Sequence, residues 1–188
     1  MNKSPTTNTN AARTKSPQQA DSAVEHTFWM LKEIRAAKLG PRAEGGIRYQ
    51  VLADADRQNL YIAITTNESG GYFSRERVPL DKIEACLTSI KPDQPFQSKA
   101  LKDVFIGRSS NNAGFLMAVL RNEGLATAAP NSETQHVRHG DMATWKAKLL
   151  TEPGKQITLA SMSNGVPVAP SGPDGTDNKT LSLPRKKA

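Results

Sequence analysis

The sequence predicts an α+β domain, a small antiparallel meander with helices packed against it. Two observations indicate this class. Residues 46–53 and 60–65 alternate apolar and polar side chains with the period of two that a half-buried strand shows. Residues 112–122 and 141–150 place apolar side chains at helical spacing. Together the two patterns favour one sheet covered by helices.

These patterns are confined to the middle of the 188-residue chain. Residues 1–22 are almost entirely Ser, Thr, Asn, Gln, Pro, Ala and Lys, and residues 151–188 are rich in Gly, Pro, Ser and Asp and have a basic end. Such segments bury too little apolar surface to offset the entropy of the chain. We therefore expect disordered tails at 1–22 and 151–188 and a single domain at 23–150.

The domain is expected to begin with a helix over residues 24–38, because Gly40-Pro41 ends a run with helical periodicity. The apolar residues of that run are Val24, Phe28, Leu31 and Ile34. Three strands should follow, at 46–53, 60–65 and 72–78. The second and third are separated by a turn at 67–71, whose Asn and Gly residues accept positive φ.

After the meander we expect a helix over residues 81–89, a turn capped by Ser98 that runs through Val104, a helix over 112–122 and a helix from Asp141 to 150. Gly124 provides a stop for the third of these and Asp141 a cap for the last. We expect the core to contain Ile62, Ile64, Val104, Phe115, Leu116, Val119, Leu120 and Trp145.

Charge and cysteine content restrict the function classes. The formal net charge is +7, and the basic residues of the middle segment are scattered. A polyanion partner such as DNA is compatible with this balance, and so is a charge that only keeps the protein in solution. Cys86 is the only cysteine, so an intrachain disulfide and a multi-cysteine metal site are excluded. The start of the chain lacks the apolar segment of a secretory signal.

Histidine and acidic residues give weak signals for a metal. His136 and His139 are three residues apart with Asp141 nearby, but the segment is polar and no helix fixes their geometry. We expect loop histidines and no metal site here. Asp54 and Asp56 lie in a predicted turn, where acidic residues usually bond to the backbone.

The most informative stretch is the segment from Gly107 to the helix that follows it. An apolar run ends at Gly107, and Arg108, Ser109, Ser110, Asn111 and Asn112 precede a strongly apolar helix. Backbone N–H groups at a helix start, a glycine that admits close approach and an arginine fork suit a phosphate. An ordinary Asn-capped core helix after a tight turn fits the same residues.

A resemblance to a known superfamily begins at Val78-Pro79-Leu80-Asp81-Lys82-Ile83. This string resembles the opening of ParB N-terminal domains, which continue with a helix, a strand, a Gly-Glu-Arg-Arg box and a second helix. Sulfiredoxins share the plan with a Gly-Cys-His-Arg box. Here the order is a helix near 84–90, residues 104–106 as the strand, a box at 107–110 and the helix at 115–120, followed by Gly124-Leu125 and Pro130. The resemblance covers about residues 78–130.

The small size and the flanking meander are further similar to the fertility-inhibition proteins of conjugative plasmids (Osa and FiwA type), a branch of the ParB/sulfiredoxin superfamily. That resemblance implies a bacterial protein, located in the cytoplasm or peripherally at the inner membrane, that blocks DNA transfer through type IV secretion. It implies ATPase and DNase activity with ATP and a divalent cation such as Mg²⁺. DNA, a nucleotide and a type IV secretion component are the expected partners.

Site roles follow from the resemblance and from polarity along the expected fold. Arg108, Asp81 and Glu123 are the candidate catalytic residues. The candidates for phosphate or nucleotide binding are Lys82, Gly107, Arg108, Ser109, Ser110, Asn111 and Asn112. The alternative is a DNA- or protein-binding accessory module without catalysis. Convergence of Arg108 and a carboxylate on one pocket would favour the enzyme.

Overall fold

The computed structural model describes residues 24–40, 43–163 and 166–167, which lie in one compact unit. The predicted tail at 1–22 and most of the predicted tail at 151–188 fall outside the described residues. In chain order the described elements are β1 (Glu25–Ala37), β2 (Gly46–Asp54), β3 (Leu60–Asn67), β4 (Arg77–Pro79), α1 (Leu80–Thr88), β5 (Phe96–Gln97), a 3₁₀ helix (Ser98–Val104), α2 (Asn112–Asn122), β6 (Ala126–Ala128), β7 (Gln135–Arg138), α3 (Met142–Thr151), β8 (Lys155–Ala160), β9 (Met162–Ser163) and β10 (Val166–Pro167).

The main sheet has five antiparallel strands in the order β4-β3-β2-β1-β8. The predicted α+β class with an antiparallel meander is therefore confirmed. β2 and β3 coincide with the predicted strands, and Ile47, Tyr49 and Val51 face the main core together with Leu60 and Ile62. Alternation located these strands because one face of each is covered by helices.

β1 corrects the helix predicted for residues 24–38. The segment is a strand that pairs with β2 on one side and β8 on the other. A β-bulge at Leu31 shifts its alternation by one residue. Phe28 and Met30 therefore contribute to a second apolar cluster of strand residues, whereas Ile34 packs on the main core. The interrupted alternation leaves an apolar spacing close to that of a helix.

The third strand of the meander is shorter than the predicted 72–78. Only Arg77–Pro79 pairs with β3. Ser74 and Glu76 are buried and bond with each other, and Glu76 also bonds to the turn at Gly107. This part of the segment contacts a loop instead of extending the sheet.

The strand that the resemblance implies at residues 104–106 is also corrected. Val104 is the last residue of the 3₁₀ helix, and residues 105–106 belong to no strand. Their N–H groups have other partners: that of Phe105 bonds to Lys102 O, and that of Ile106 to a side chain.

α2 lies at the centre of the main core and confirms the predicted helix over 112–122. Gly124, at φ +73°, ends it with a bond from Leu125 N–H to Leu120 O of 2.8 Å. Six of the predicted core residues are buried, and Phe115 and Trp145 are half-buried. The buried residues of that set are Ile62, Ile64, Val104, Leu116, Val119 and Leu120.

α1 and α3 also match their predictions. Asp141 caps α3 by accepting a bond from Ala143 N–H at 2.9 Å. Within the described residues, no helix combines the length and apolar character needed to cross a membrane.

Two features at the edges of the fold were not predicted. A small sheet in the order β5-β7-β6 contains the segment around His136 that was expected to be a loop. β8 pairs with β1 inside the range 151–188, so the tail boundary expected at residue 151 is too early. β5 and β8 pair with segments far along the chain, and β6 and β7 are short strands of one hairpin, so local periodicity reveals none of them.

Truncation of Leu120 tests the assignment of the core. Leu120 is fully buried in the middle of the cluster. Leu120→Ala should lower the free energy of unfolding by about 2–5 kcal/mol through lost burial and a residual cavity. Chemical denaturation measures this, with Lys148→Ala on the exposed side of α3 as a control that should change stability by less than about 0.5 kcal/mol. A loss below about 1 kcal/mol in Leu120→Ala would contradict the packing.

Candidate functional site

A groove of about 820 Å³ lies beside the predicted phosphate turn. The 3₁₀ helix, the Gly107 turn and the first residues of α2 form its walls. The polar and charged side chains that line it belong to Ser98, Lys99, Lys102, Asp103, Arg108, Ser109, Ser110 and Asn112. Arg108 and Ser110 are exposed here. Five of the residues predicted to bind phosphate line this groove: Gly107, Arg108, Ser109, Ser110 and Asn112.

A buried carboxylate fixes the backbone of the turn. Glu76 is 6% exposed, and its Oε2 accepts the N–H of Ile106 at 2.8 Å. Its Oε1 accepts the N–H of Gly107 at 3.0 Å and the hydroxyl of Ser74 at 2.7 Å. Three donors thus satisfy a carboxylate that would be costly to bury alone. Sequence reasoning missed Glu76, because a single acidic residue in a strand-like pattern carries no signal of its partners.

Asn112 fastens the other side of the same turn. Its side-chain oxygen accepts the N–H of Ser74 at 2.9 Å, and its Nδ2 donates to Gly107 O at 3.0 Å. Asn112 is 2% exposed. Asn111 is the N-cap residue of α2, yet its side chain makes no capping bond. The interpretation of an ordinary Asn-capped helix is thus wrong in detail, since both Asn side chains hold the loop.

Several predicted phosphate donors are already engaged within the protein. The N–H of Gly107 bonds to Glu76, and the hydroxyl of Ser109 and Nδ2 of Asn111 both donate to Tyr72 O at 2.9 Å. Gly107 is required for packing, because a Cβ there would lie 2.6 Å from Ser74 Oγ. The turn is thus braced, meaning that hydrogen bonds to Glu76, Asn112 and Tyr72 fix it. The backbone N–H groups of Ile106 and Gly107 point toward Glu76 and away from the groove.

Three cationic side chains line the groove. Lys99 and Lys102 join Arg108 along its wall, and all three are exposed. In a 3₁₀ helix residues three apart are eclipsed, so Lys99 and Lys102 share one side. That spacing is the signal by which the sequence could have revealed them. Among the described residues, none of the three forms a salt bridge.

Asp103 is the carboxylate that lines this groove with Arg108. Asp81 and Lys82 instead lie in the first turn of α1, where Asp81 accepts the N–H of Lys82 at 2.7 Å. Neither lines the groove. Glu123 follows the C-terminal end of α2, an 11-residue helix, on the order of 16 Å along the helix axis from its start. The structure does not bring Asp81, Glu123 and Arg108 together.

Glu123 is a buried residue that links neighbouring elements of the fold. Its side chain is 4% exposed and accepts Lys32 Nζ at 2.9 Å, Trp145 Nε1 at 2.8 Å and the hydroxyl of Tyr49. Burial raises the pKa of Glu123, but the bonds from Tyr49, Lys32 and Trp145 outweigh it, so the net pKa is below its ordinary value. Burial and the Glu123 bond together raise the pKa of Tyr49. Glu123 joins α2, β1, β2 and α3.

His136 is buried in β7, which corrects the expectation of a solvated loop histidine. It is 2% exposed, and its Nε2 lies 3.0 Å from Ser98 Oγ. Burial, with a smaller contribution from Arg121, lowers its pKa. His139 is exposed. In the described part of the chain, no three His, Cys, Asp or Glu side chains are grouped so that they could hold a metal ion.

Comparison with known proteins gives no relative: no family model, curated protein or solved structure matches this chain. The ParB/sulfiredoxin resemblance therefore remains a prediction from the motif order.

Two glycines test whether the turn is braced as described. A Cβ at Gly107 would meet Ser74 Oγ at 2.6 Å and Ser74 Cβ at 2.9 Å, so Gly107→Ala should cost about 1–3 kcal/mol of stability. Gly114 is inside α2 and has nothing within 4 Å of the equivalent position. Gly114→Ala should therefore gain about 0.5–1 kcal/mol. Denaturant titration compares the two, and an equal gain in both would contradict the tight packing at Gly107.

Proposed function

We propose that the groove beside Gly107 binds the phosphate groups of a nucleotide or of DNA. The observation that carries the proposal is the set of three exposed cations, Lys99, Lys102 and Arg108, along one groove beside the start of α2. A concave site with several unpaired cations favours an anion that carries more than one charge. The overall charge of +7 acts in the same direction by attracting polyanions.

Each side chain has a distinct role in this proposal. Arg108 supplies a planar fork that can hold two phosphate oxygens, and Lys99 and Lys102 act as point charges on neighbouring phosphates. Ser110 offers a hydroxyl at the exposed lip of the turn. The N–H of Gly107, the hydroxyl of Ser109 and Nδ2 of Asn111 already bond to other groups of the protein. The phosphate is therefore bound by the exposed side chains of the groove and not by backbone N–H groups of the turn.

Binding without chemistry and hydrolysis remain two distinct candidate functions. Asp103 favours hydrolysis, because it is a carboxylate in the same groove as Arg108 and could orient water or help to hold Mg²⁺ beside a bound phosphate. We therefore move the proposed ATPase and DNase roles from Asp81 and Glu123 to Asp103. In the alternative, a DNA- or protein-binding accessory module, the same cations bind the partner and Asp103 has no catalytic role.

The biological setting follows from the sequence resemblance. We propose that the protein acts in the bacterial cytoplasm, at or near the inner membrane, and inhibits conjugative DNA transfer through type IV secretion. The support is the order of elements from β4 through α1, the 3₁₀ helix, the Gly107 turn and α2, which follows the expected motif order except for its strand at 104–106. A nucleic acid or nucleotide in the groove would connect the two proposals.

Substitution of Arg108 tests the binding proposal. A charge-assisted hydrogen bond contributes about 1.5–3 kcal/mol, so Arg108→Ala should weaken binding of a fluorescent oligonucleotide or ATP analogue by roughly tenfold or more. Arg108→Lys should restore part of the affinity, because an ammonium lacks the planar fork. In Arg108→Ala, the slope of the logarithm of DNA affinity against the logarithm of salt concentration should become shallower by about one, which corresponds to one lost phosphate contact.

Lys148→Ala is the matched control for Arg108→Ala. It removes one exposed positive charge from α3, outside the groove, and should change affinity far less. Melting temperatures of all variants should agree, because an exposed arginine contributes little to the fold. Equal affinities across Arg108→Ala, Lys148→Ala and the unmodified protein would contradict a phosphate site at Arg108.

Transfer frequency measures the biological proposal. Donor cells that carry a conjugative plasmid and express the protein should transfer DNA less often than cells with an empty vector. Arg108→Ala should relieve that inhibition, and Lys148→Ala should retain it at equal protein level. If the unmodified protein gives the same transfer frequency as the empty vector, the fertility-inhibition role is contradicted. Phosphate binding is tested separately by the affinity titration.

A further inference from the structure

A serine and a histidine form a hydrogen-bonded pair at the edge of the groove. Ser98 is the first residue of the 3₁₀ helix, and its Oγ lies 3.0 Å from Nε2 of His136 on β7. Backbone pairing of β5 with β7 aligns Phe96 with His136 just before Ser98 in the chain. The pair is thus positioned by a small sheet and not by mobile surface side chains.

The imidazole of His136 is buried beside an aromatic ring. His136 is 2% exposed, and the ring of Phe96 contacts it edge-on with centroids 6.1 Å apart. Burial favours the neutral ring, which is the form that a general base needs. The hydrogen bond accommodates either tautomer, and base catalysis uses the one with its proton on Nδ1. That atom is buried without a hydrogen-bond partner among the described residues.

Ser98 is placed between two grooves. It lines the cationic groove together with Lys99, Lys102 and Arg108. It also lines a neighbouring groove of about 330 Å³ that His136 and Lys38 share. Ser98 is half-buried, lines the cationic groove and bonds to a buried base. An adjacent nucleophile and base are the minimal arrangement for covalent catalysis.

We propose that Ser98 is a nucleophile and His136 its general base for a metal-independent cleavage of phosphodiesters, a route separate from the activation of water by Asp103 and tested in EDTA for that reason. This inference rests on the proposed phosphate-binding function of the same groove. The cations decide the substrate class, because Lys99, Lys102 and Arg108 favour an anionic phosphodiester over a neutral carboxylic ester. Nothing in the motif order from residue 78 to 130 points to this pair, since His136 lies beyond it.

The reaction proceeds in two balanced steps. Ser98 Oγ forms a bond to phosphorus while the bond from phosphorus to the leaving oxygen breaks, and the serine proton passes to His136 Nε2 and then to the leaving alkoxide. Water next attacks the phosphorus of this serine-linked phosphodiester and gives its proton to His136, which returns it to Ser98 as the bond between Oγ and phosphorus breaks. One phosphodiester and one water thus yield an alcohol and a phosphate monoester.

The experiment follows a short 5′-labelled single-stranded oligonucleotide with the full chain in the presence of EDTA. The unmodified protein should cleave it and form a covalent adduct that survives denaturation. Ser98→Ala should bind the oligonucleotide normally but lose cleavage by about a hundredfold or more, together with the adduct. Ser89→Ala, at the exposed end of α1 outside both grooves, is the matched control and should retain both.

A second measurement avoids variants altogether. An uncharged fluorophosphonate probe should label the unmodified protein at Ser98, as identified by mass spectrometry of the peptide. Oligonucleotide binding with neither cleavage nor labelling would overturn this inference and leave the proposed function intact, whereas absence of binding contradicts the proposed function itself. Cleavage that persists in Ser98→Ala, or Ser98-dependent hydrolysis of a carboxylic ester in place of the phosphodiester, would also overturn the assignment.

Discussion

The site depends on the buried carboxylate of Glu76. It accepts the N–H groups of Ile106 and Gly107 and the hydroxyl of Ser74, and Asn112 closes the arrangement from the start of α2. These bonds join the segment before β4 to the turn before the central helix. An irregular turn beside a core helix has no ladder to satisfy its backbone, so a side chain must supply the acceptors. The shape of the groove wall follows from that requirement.

The hydrogen bonds that Glu76 and Asn112 make with the turn also decide what kind of anion site the turn can form. A glycine followed by polar residues and a helix resembles a backbone phosphate cradle, but such a cradle requires N–H groups that face the ligand. Here Gly107 is needed because Ser74 is too close for a Cβ, and its N–H faces Glu76. The positive potential comes instead from Lys99, Lys102 and Arg108, which are exposed and subject to salt screening. Side-chain recognition suits a polyanion more than one buried phosphate.

Sequence reasoning succeeded where a local pattern meets a covered face. β2 and β3 alternate over enough residues to be recognised, although their pairing register shifts between Arg48 and Tyr49, and α2 keeps helical spacing. Gly124 and Asp141 provide local stop and cap chemistry. The prediction for β1 was wrong because one bulged residue, Leu31, breaks the alternation. β5 and β8 were missed because they pair with distant segments, and β6 and β7 form a hairpin of strands too short to show a period. At the site, five of the predicted residues line the groove, namely Gly107, Arg108, Ser109, Ser110 and Asn112. Glu76, Asp103 and the Ser98–His136 pair were not predicted, because their meaning lies in partners far along the chain.

Two carboxylates near opposite ends of α2 have opposite environments. Glu123 follows the C-terminal end, where the helix dipole disfavours a negative charge, and Lys32, Tyr49 and Trp145 offset that cost by bonding to it. A carboxylate with all its oxygens engaged is poorly available to a substrate. At the opposite end, Asp103 and the cations around it are exposed. Polarity along the sequence could not separate these two cases. The distinction arises from burial and bonding, which is why function is better sought at the start of α2 than at its end.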